Sequence, residues 1–281
     1  MLDALSIELA GTGVPPARAD ARDLIAAVLD RPRFWPTAHG TEALAPAVEE
    51  RIRAAAVNLR QGMPIQYAVG SAAFRHLTLQ VDRRVLIPRP ETELLVEIVL
   101  ALTSGKGTVA DVGTGSGAIA LALAAEGEYD RVIATDISAD ALTVARANLA
   151  VLGSEKRPLV EFRQGDLLVP LQGDRVRALV SNPPYISTAE AGDLPAGVRD
   201  WEPPLALFSG EDGMAATRAI VRGAPDVLES GGLLALEVDS TRAELVRETV
   251  ATDGRYRAVD IRMDLTGRAR FVVAKLQETR C

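Results

Sequence analysis

One junction constrains this chain more than any other feature: an apolar run, Thr108–Val112, enters Gly113-Thr114-Gly115-Ser116-Gly117 and leaves as a small-residue, helix-forming segment. It sits in a region where the two kinds of pattern alternate. Strands are predicted at 108–112, 131–135, 159–163, 176–181, 232–238, 256–261 and 269–274, and helices at 91–103, 117–126, 138–152, 213–229 and 241–252. Such alternation buries itself only as a parallel sheet with helices on both faces. Only the turn Leu265-Thr266-Gly267-Arg268 separates the last two strands, so they are expected to close the sheet as an antiparallel hairpin.

The chain before residue 91 reads differently. Ala21, Leu24, Ile25, Val28 and Leu29 fall on one helical stripe, and Val48, Ile52, Ala55, Ala56 and Leu59 on another. Phe34 and Trp35 are expected to plug the core between them. Residues 1–62 are read as a helical domain, closed by the breaker Gly62-Met63-Pro64, and 63–90 as a linker hairpin. Its arms are expected at Leu77–Val81 and Val85–Ile87, around Asp82-Arg83-Arg84. Residues 91–281 form the larger domain.

Glycines at a strand-to-helix turn let the backbone approach a ligand, and the helix start offers free N–H groups to it. Asp136 ends the next strand, where a carboxylate can accept both hydroxyls of a ribose. The spacing of Gly113, Gly115 and Ala118 also fits a dinucleotide loop. Asp111, placed to meet an ammonium, and the extra Gly117 favour S-adenosylmethionine.

The strand 176–181 runs into Asn182-Pro183-Pro184-Tyr185. At the reversal point of a doubly wound sheet, this strand and the one before the glycine loop are neighbours, and their carboxyl ends open a crevice. A planar –NH2 nitrogen is a poor nucleophile because its lone pair is delocalised. The Asn182 side-chain oxygen and the Pro183 carbonyl can each accept one of its hydrogens, on a turn stiffened by Pro184, with Tyr185 covering the planar group. Alignment of that kind can supply about 7–11 kcal/mol of barrier lowering without a strong base.

Taken with Pro64-Ile65-Gln66-Tyr67, Gly70, Phe74, the block Leu86-Ile87-Pro88-Arg89-Pro90-Glu91-Thr92-Glu93, and Glu202-Pro203, these motifs resemble the HemK-type family of peptide chain release factor glutamine N5-methyltransferases over nearly the whole chain. The resemblance implies a class I S-adenosylmethionine-dependent methyltransferase, an α/β Rossmann-like domain with a seven-stranded sheet, preceded by a small helical bundle that binds release factors. It implies methyl transfer to the glutamine of a Gly-Gly-Gln loop in class 1 release factors. Asp111, Gly113, Thr114, Gly115, Ser116, Gly117, Asp136, Asp166, Leu167 and Asn182 would hold the cofactor. Asn182, Pro183, Pro184 and Tyr185, with Arg89 and Glu91, would hold the glutamine, and Asn182, Pro183 and Tyr185 are the expected catalytic residues. Leu167 stands where relatives commonly carry an aromatic, and Glu237-Val238-Asp239 where they often continue Glu-Ile-Gly.

Other readings of the same residues are weighed on charge and composition. A DNA adenine-N6 or cytosine-N4 methyltransferase faces the same nitrogen chemistry, but it must flip a base and grip phosphates. A net charge of −7 argues against it. A nicotinamide oxidoreductase lacks an evident hydride-transfer acid or base, and a scaffold has no need of two convergent acceptors. The single cysteine, Cys281, excludes a disulfide framework, and His39 and His76 lack partners at metal-ligand spacing. No membrane span and no export signal after Met1-Leu2-Asp3-Ala4 are seen, so a cytoplasmic setting is expected; separately, the protein is expected to be a monomer. Glu202 is expected to tie down the loop after Tyr185, with Trp201 beside it, and the stretch 186–200 to form a mobile cover.

Overall fold

In a computed structural model, which describes residue 7 and residues 17–151 and 159–278, the chain falls into two compact units. One comprises Met1–Ser71 with Pro195–Trp201, the other Ala72–Leu194 with Glu202–Cys281. Met1, Leu2, Asp3, Ala4, residue 152 and Cys281, on which some expectations rest, lie outside the described residues.

In the first unit, α1 (Ala17–Val28) and α2 (Pro46–Arg60) meet through the stripes anticipated for them. Leu24, Ile25 and Val28 pack with Ile52, Ala55 and Ala56, and the short α3 (Ile65–Val69) adds Ile65, Ala68 and Val69. Gly70 ends α3 in the left-handed region, its N–H donating to the Gln66 carbonyl. The expected plug is half right. Trp35 packs against this core and stacks on His39, with ring centroids 4.2 Å apart, whereas Phe34 is 78% exposed. A single helical turn, Trp35–Ala38, begins between the two aromatics and directs only the second one inward.

The hairpin also needs correction. Its arms are β1 (Ser71–Phe74) and β2 (Leu77–Gln80), joined at Arg75-His76 with Arg75 at φ 51°. Val85–Ile87 forms no strand. Asp82 bends the chain first: its carboxylate accepts from the Arg84 N–H and its carbonyl from the Val85 N–H, an Asx-type turn. Pro88 and Pro90 then lack the donors that a ladder needs. Val85 and Ile87 are buried all the same.

The remaining elements alternate as predicted: α4 (Thr92–Thr103), β3 (Thr108–Val112), α5 (Ala118–Glu126), β4 (Arg131–Asp136), α6 (Ala139–Val151), β5 (Leu159–Gln164), β6 (Val176–Ser181), α7 (Ala215–Gly223), β7 (Leu228–Glu237), α8 (Ala243–Thr252), β8 (Tyr256–Met263) and β9 (Ala269–Leu276). The sheet order is β5-β4-β3-β6-β7-β9-β8, with β9 antiparallel to both β7 and β8. Alternate strand residues serve opposite faces. Val109, Ala178, Val180, Leu233 and Ala235 pack with α4 and α5, while Ala110, Val112, Leu179, Leu234 and Leu236 pack with α7 and α8. The helix expected over 213–229 stops at Gly223, because Pro225 cannot continue the ladder and Leu228 is drawn into pairing with Val176.

Candidate functional site

The sheet reverses direction of growth between β3 and β6, which are paired in parallel with Val112 opposite Ser181. The Ser181 hydroxyl donates to the Val112 carbonyl at 2.6 Å, locking the two strand ends just where the glycine loop and the Asn182 turn depart. A cleft of about 430 Å³ opens there, as the switch-point rule requires.

Hydrogen bonds shape the floor of the cleft. The Gly113 and Thr114 N–H groups both donate to the Thr135 carbonyl at 2.9 Å, and the Gly115 N–H donates to Asp136 Oδ2 at 2.9 Å. Gly113 and Gly115 adopt φ 75° and 55°, and a Cβ on either would enter open space, so the glycines serve backbone conformation and close approach together. Asp136 borders the cleft, and burial raises its carboxyl pKa. Gly165, Asp166 and Leu167 form the next stretch of wall, with Leu167 at φ 44°.

Asp111, Thr114, Ser116 and Gly117 lie beneath this surface, not on it. Asp111 is fully buried; its Oδ2 accepts from the Thr114 hydroxyl at 2.6 Å and the Ala120 N–H at 3.1 Å, bracing the loop and the start of α5. Its Oδ1 has no described partner, and burial above all pushes its pKa up to about 7. A buried carboxylate oxygen left over below a loop is suited to a cationic ligand group. Gly117, at φ 85°, caps α5, and the Ser116 carbonyl accepts from Asn148 Nδ2 at 2.9 Å. Asn148 also exchanges hydrogen bonds with the Gln80 backbone, joining the hairpin to the loop, a role with no local sequence signal.

Across the cleft, Asn182 and Pro184 line the wall, while Pro183 is buried behind them. Asn182 Nδ2 donates to Thr92 Oγ1 at 3.3 Å; Thr92 is buried, and so is Glu237, itself 1% exposed. Burial, first, pushes Glu237 up to about 7 and the Tyr185 phenol up to about 12, the latter aided by the nearby Glu237 charge. Arg89 does not border the cleft; its guanidinium meets Glu202 at 2.6 Å, and Glu202 is 3% exposed, so this pair ties the loop after Tyr185 to the turn before α4. Glu91 is exposed at the start of α4.

The outer wall comes from residues that the sequence reading passed over: Leu205, Ala206, Phe208 and Ser209. Ser209 Oγ accepts from the Ala216 N–H at 2.9 Å, anchoring that wall to α7. The stretch 186–200 carries local structure. Ile186 bridges to Phe208, Ser187 and Glu190 form a reciprocal cap, and Pro195–Trp201 belongs to the first unit, where Trp201 approaches Gly62.

Comparison with known proteins bears on this arrangement. The family described as methyltransferase small domain matches residues 90–194, and the PrmC N-terminal domain matches residues 1–70. A release factor glutamine methyltransferase of Moorella thermoacetica is 45% identical over 274 residues, covering 96% of this chain and 95% of that protein. The chain belongs to the release factor glutamine methyltransferase family. Its namesake in Deinococcus radiodurans is 38% identical, covering 98% of this chain and 97% of its own length. Among solved structures, a methyltransferase from Pyrococcus furiosus superposes with a TM-score of 0.55 at 18% identity, covering 79% of this chain and all of that one. The ribosomal protein L11 methylase of Lactobacillus delbrueckii reaches 0.52 at 20% identity, covering 73% of this chain and 96% of that one. These two establish the class I methyltransferase fold. In this member of the release factor glutamine methyltransferase family, the glycine loop, Asp136, Asp166, Leu167 and Asn182 therefore share one cleft, with Asp111 and Thr114 supporting it from below.

Proposed function

We propose that this chain transfers a methyl group from S-adenosylmethionine to the side-chain amide nitrogen, N5, of the glutamine in the Gly-Gly-Gln loop of class 1 peptide chain release factors. The observation that carries the reading is the placement of Asn182 on the wall of the same cleft whose floor is the Gly113–Gly117 loop.

The residues present fit the cofactor. Asp136 keeps lone pairs for ribose hydroxyls, Asp166 and Leu167 offer an edge and an apolar face for the adenine, and the Asp111 carboxylate, buried beneath the loop, places negative charge below the ammonium. When bound, S-adenosylmethionine supplies an electrophilic methyl on a positively charged sulfur. Asn182 Oδ1 and the Pro183 carbonyl accept the two hydrogens of the target amide, which orients its nitrogen and favours a localised lone pair as the new bond forms. Pro184 and Tyr185 limit access to that position, and Arg89 with Glu202 keeps the turn in place. The helical unit, which matches the PrmC N-terminal domain, engages the body of the release factor.

The net charge of −7 weighs against nucleic acid as substrate, and among the described residues no helix is long and apolar enough to cross a membrane. A cytoplasmic enzyme acting on release factors accords with both. The test is one mass spectrum of a class 1 release factor after incubation with the protein and the methyl donor: a single methyl on the Gly-Gly-Gln glutamine is expected. Methylation of adenine or cytosine in DNA, with the release factor untouched, would replace this reading by the base-amine alternative.

A further inference from the structure

We propose that Arg84 receives the carboxylate at the amino-acid end of the methyl donor. The inference deepens the reading above and rests on it, since it takes the cleft to hold S-adenosylmethionine.

That donor carries a sulfonium, an ammonium and a carboxylate. A glycine loop and the helix behind it ordinarily offer an anion their free N–H groups. Here those groups are spent. The Gly113 and Thr114 N–H groups donate to the Thr135 carbonyl, the Gly115 N–H to Asp136 Oδ2 and the Gly117 N–H to the Thr114 carbonyl. Ser116 and Ala118 are buried and do not border the cleft. Behind them the Ala120 N–H, in the first turn of α5, goes to Asp111 Oδ2, so a buried acid already sits at the helix start. That acid favours a cation above the loop and disfavours a second anion. The carboxylate is therefore left to a side chain.

The lining of the cleft supplies one. Its charged side chains are Asp136, Asp166 and Arg84, and the arginine is the one cation among the described residues there. The chain before Arg84 fixes its place beside the loop. Asn148 gives one amide hydrogen to the Ser116 carbonyl at 2.9 Å and the other to the Gln80 carbonyl at 3.0 Å, while its Oδ1 accepts from the Gln80 N–H at 2.7 Å. The backbone just ahead of Arg84 is thus clamped to the glycine loop.

The turn at Asp82 then aims the guanidinium. The Asp82 carboxylate accepts from the Arg84 N–H at 3.0 Å, from Nε at 2.8 Å and from Nη2 at 2.5 Å. Both side chains are exposed, so the pair adds little stability; its effect is to hold the guanidinium in one direction. Nε and Nη2 form one edge of the fork. The other edge, Nη1 with the second hydrogen of Nη2, remains to take a carboxylate bidentately. Read from the sequence, Asp82-Arg83-Arg84 was no more than a charged turn.

The test is calorimetry on the full-length protein with two probes, S-adenosylmethionine and its decarboxylated analogue, in which hydrogen replaces the carboxylate. Wild type is expected to bind the analogue about tenfold more weakly, the size of a charge-assisted contact that stays partly in water. Arg84→Gln is expected to bind both probes within about twofold of each other, and the analogue as wild type does. Arg84→Lys, which keeps the charge and loses the fork, retains about threefold discrimination. A substitution that only loosened the fold would weaken both probes alike, so the ratio of affinities reads the contact itself. Equal affinity of wild type for the two probes, or the same ratio in wild type and Arg84→Gln, overturns the proposal. If wild type binds neither probe, the cofactor reading fails and takes this one with it. Should Arg84→Gln not fold, Arg84→Met is measured in its place against the same two outcomes.

Discussion

Ser181 and Val112 are joined by a side-chain hydrogen bond of 2.6 Å at the last step of the parallel pairing between β6 and β3. The bond holds the two departing loops, one carrying the glycines and the other Asn182, in fixed register across the cleft.

Asn182→Ala removes the side-chain acceptor and leaves the glycine loop alone. Turnover is expected to fall about 100- to 1,000-fold, the cost of losing one preorganised hydrogen-bonding group at a reacting centre. Donor affinity is expected to change by less than about threefold. Calorimetry beside single-turnover kinetics checks both; a collapse of donor affinity with turnover preserved would reassign Asn182 to the cofactor.

Asp111 is expected to link donor binding to pH. Burial raises its pKa from 3.8 to about 7, so it favours the fold fully below pH 3.8 and loses that contribution as pH rises towards 7. An ammonium placed near Oδ1 favours the ionised form. Donor binding below pH 7 is therefore expected to release up to one proton, with affinity rising towards pH 7 and levelling off above it. Calorimetry in two buffers of different ionisation enthalpy measures this. No proton release, in wild type and in Asp111→Asn alike, would leave Asp111 as a brace for the loop and nothing more.

Gly213 is a position where only glycine fits. At φ 75°, a Cβ there would lie 2.3 Å from the Tyr185 carbonyl oxygen. Gly213→Ala is expected to cost about 1–3 kcal/mol of stability through strain, and to lower kcat by displacing the turn that carries Asn182. Thermal unfolding and kinetics on one preparation test the pairing of the two losses.

Removal of residues 1–60 is expected to weaken use of an intact release factor far more than use of a short Gly-Gly-Gln peptide. The peptide reaction doubles as the check that the catalytic unit still folds. Equal losses on both substrates would remove the docking role from the helical unit.

What could be read in the sequence was local. The run from Thr108 to Gly117, the Asp136 that follows one helix later, and the Asn182-Pro183-Pro184-Tyr185 turn each carry strand, turn and helix signals within a few residues, and the neighbouring of β3 and β6 followed from connection rules. The hairpin went astray because Leu77–Val81 and Val85–Ile87 alternate equally well; the turn made by Asp82 and the missing N–H groups of the two prolines decide between registers, not hydrophobicity. Phe34 and Trp35 are both bulky and adjacent, and only the start of a helical turn between them sends one outward. Asp111 was placed at the right strand end yet proved to lie under the loop, since side-chain direction depends on which bonds Thr114 and Ala120 claim. Asn148 left no trace in the pattern, because it acts on partners far along the chain.

Pro195–Trp201 completes a unit whose other residues lie within the first 71. The ribosome delivers those 71 residues long before it delivers the seven that finish the job. Those seven are made only after Ala72–Leu194, so the division between the two units in space is not a division in the order of synthesis.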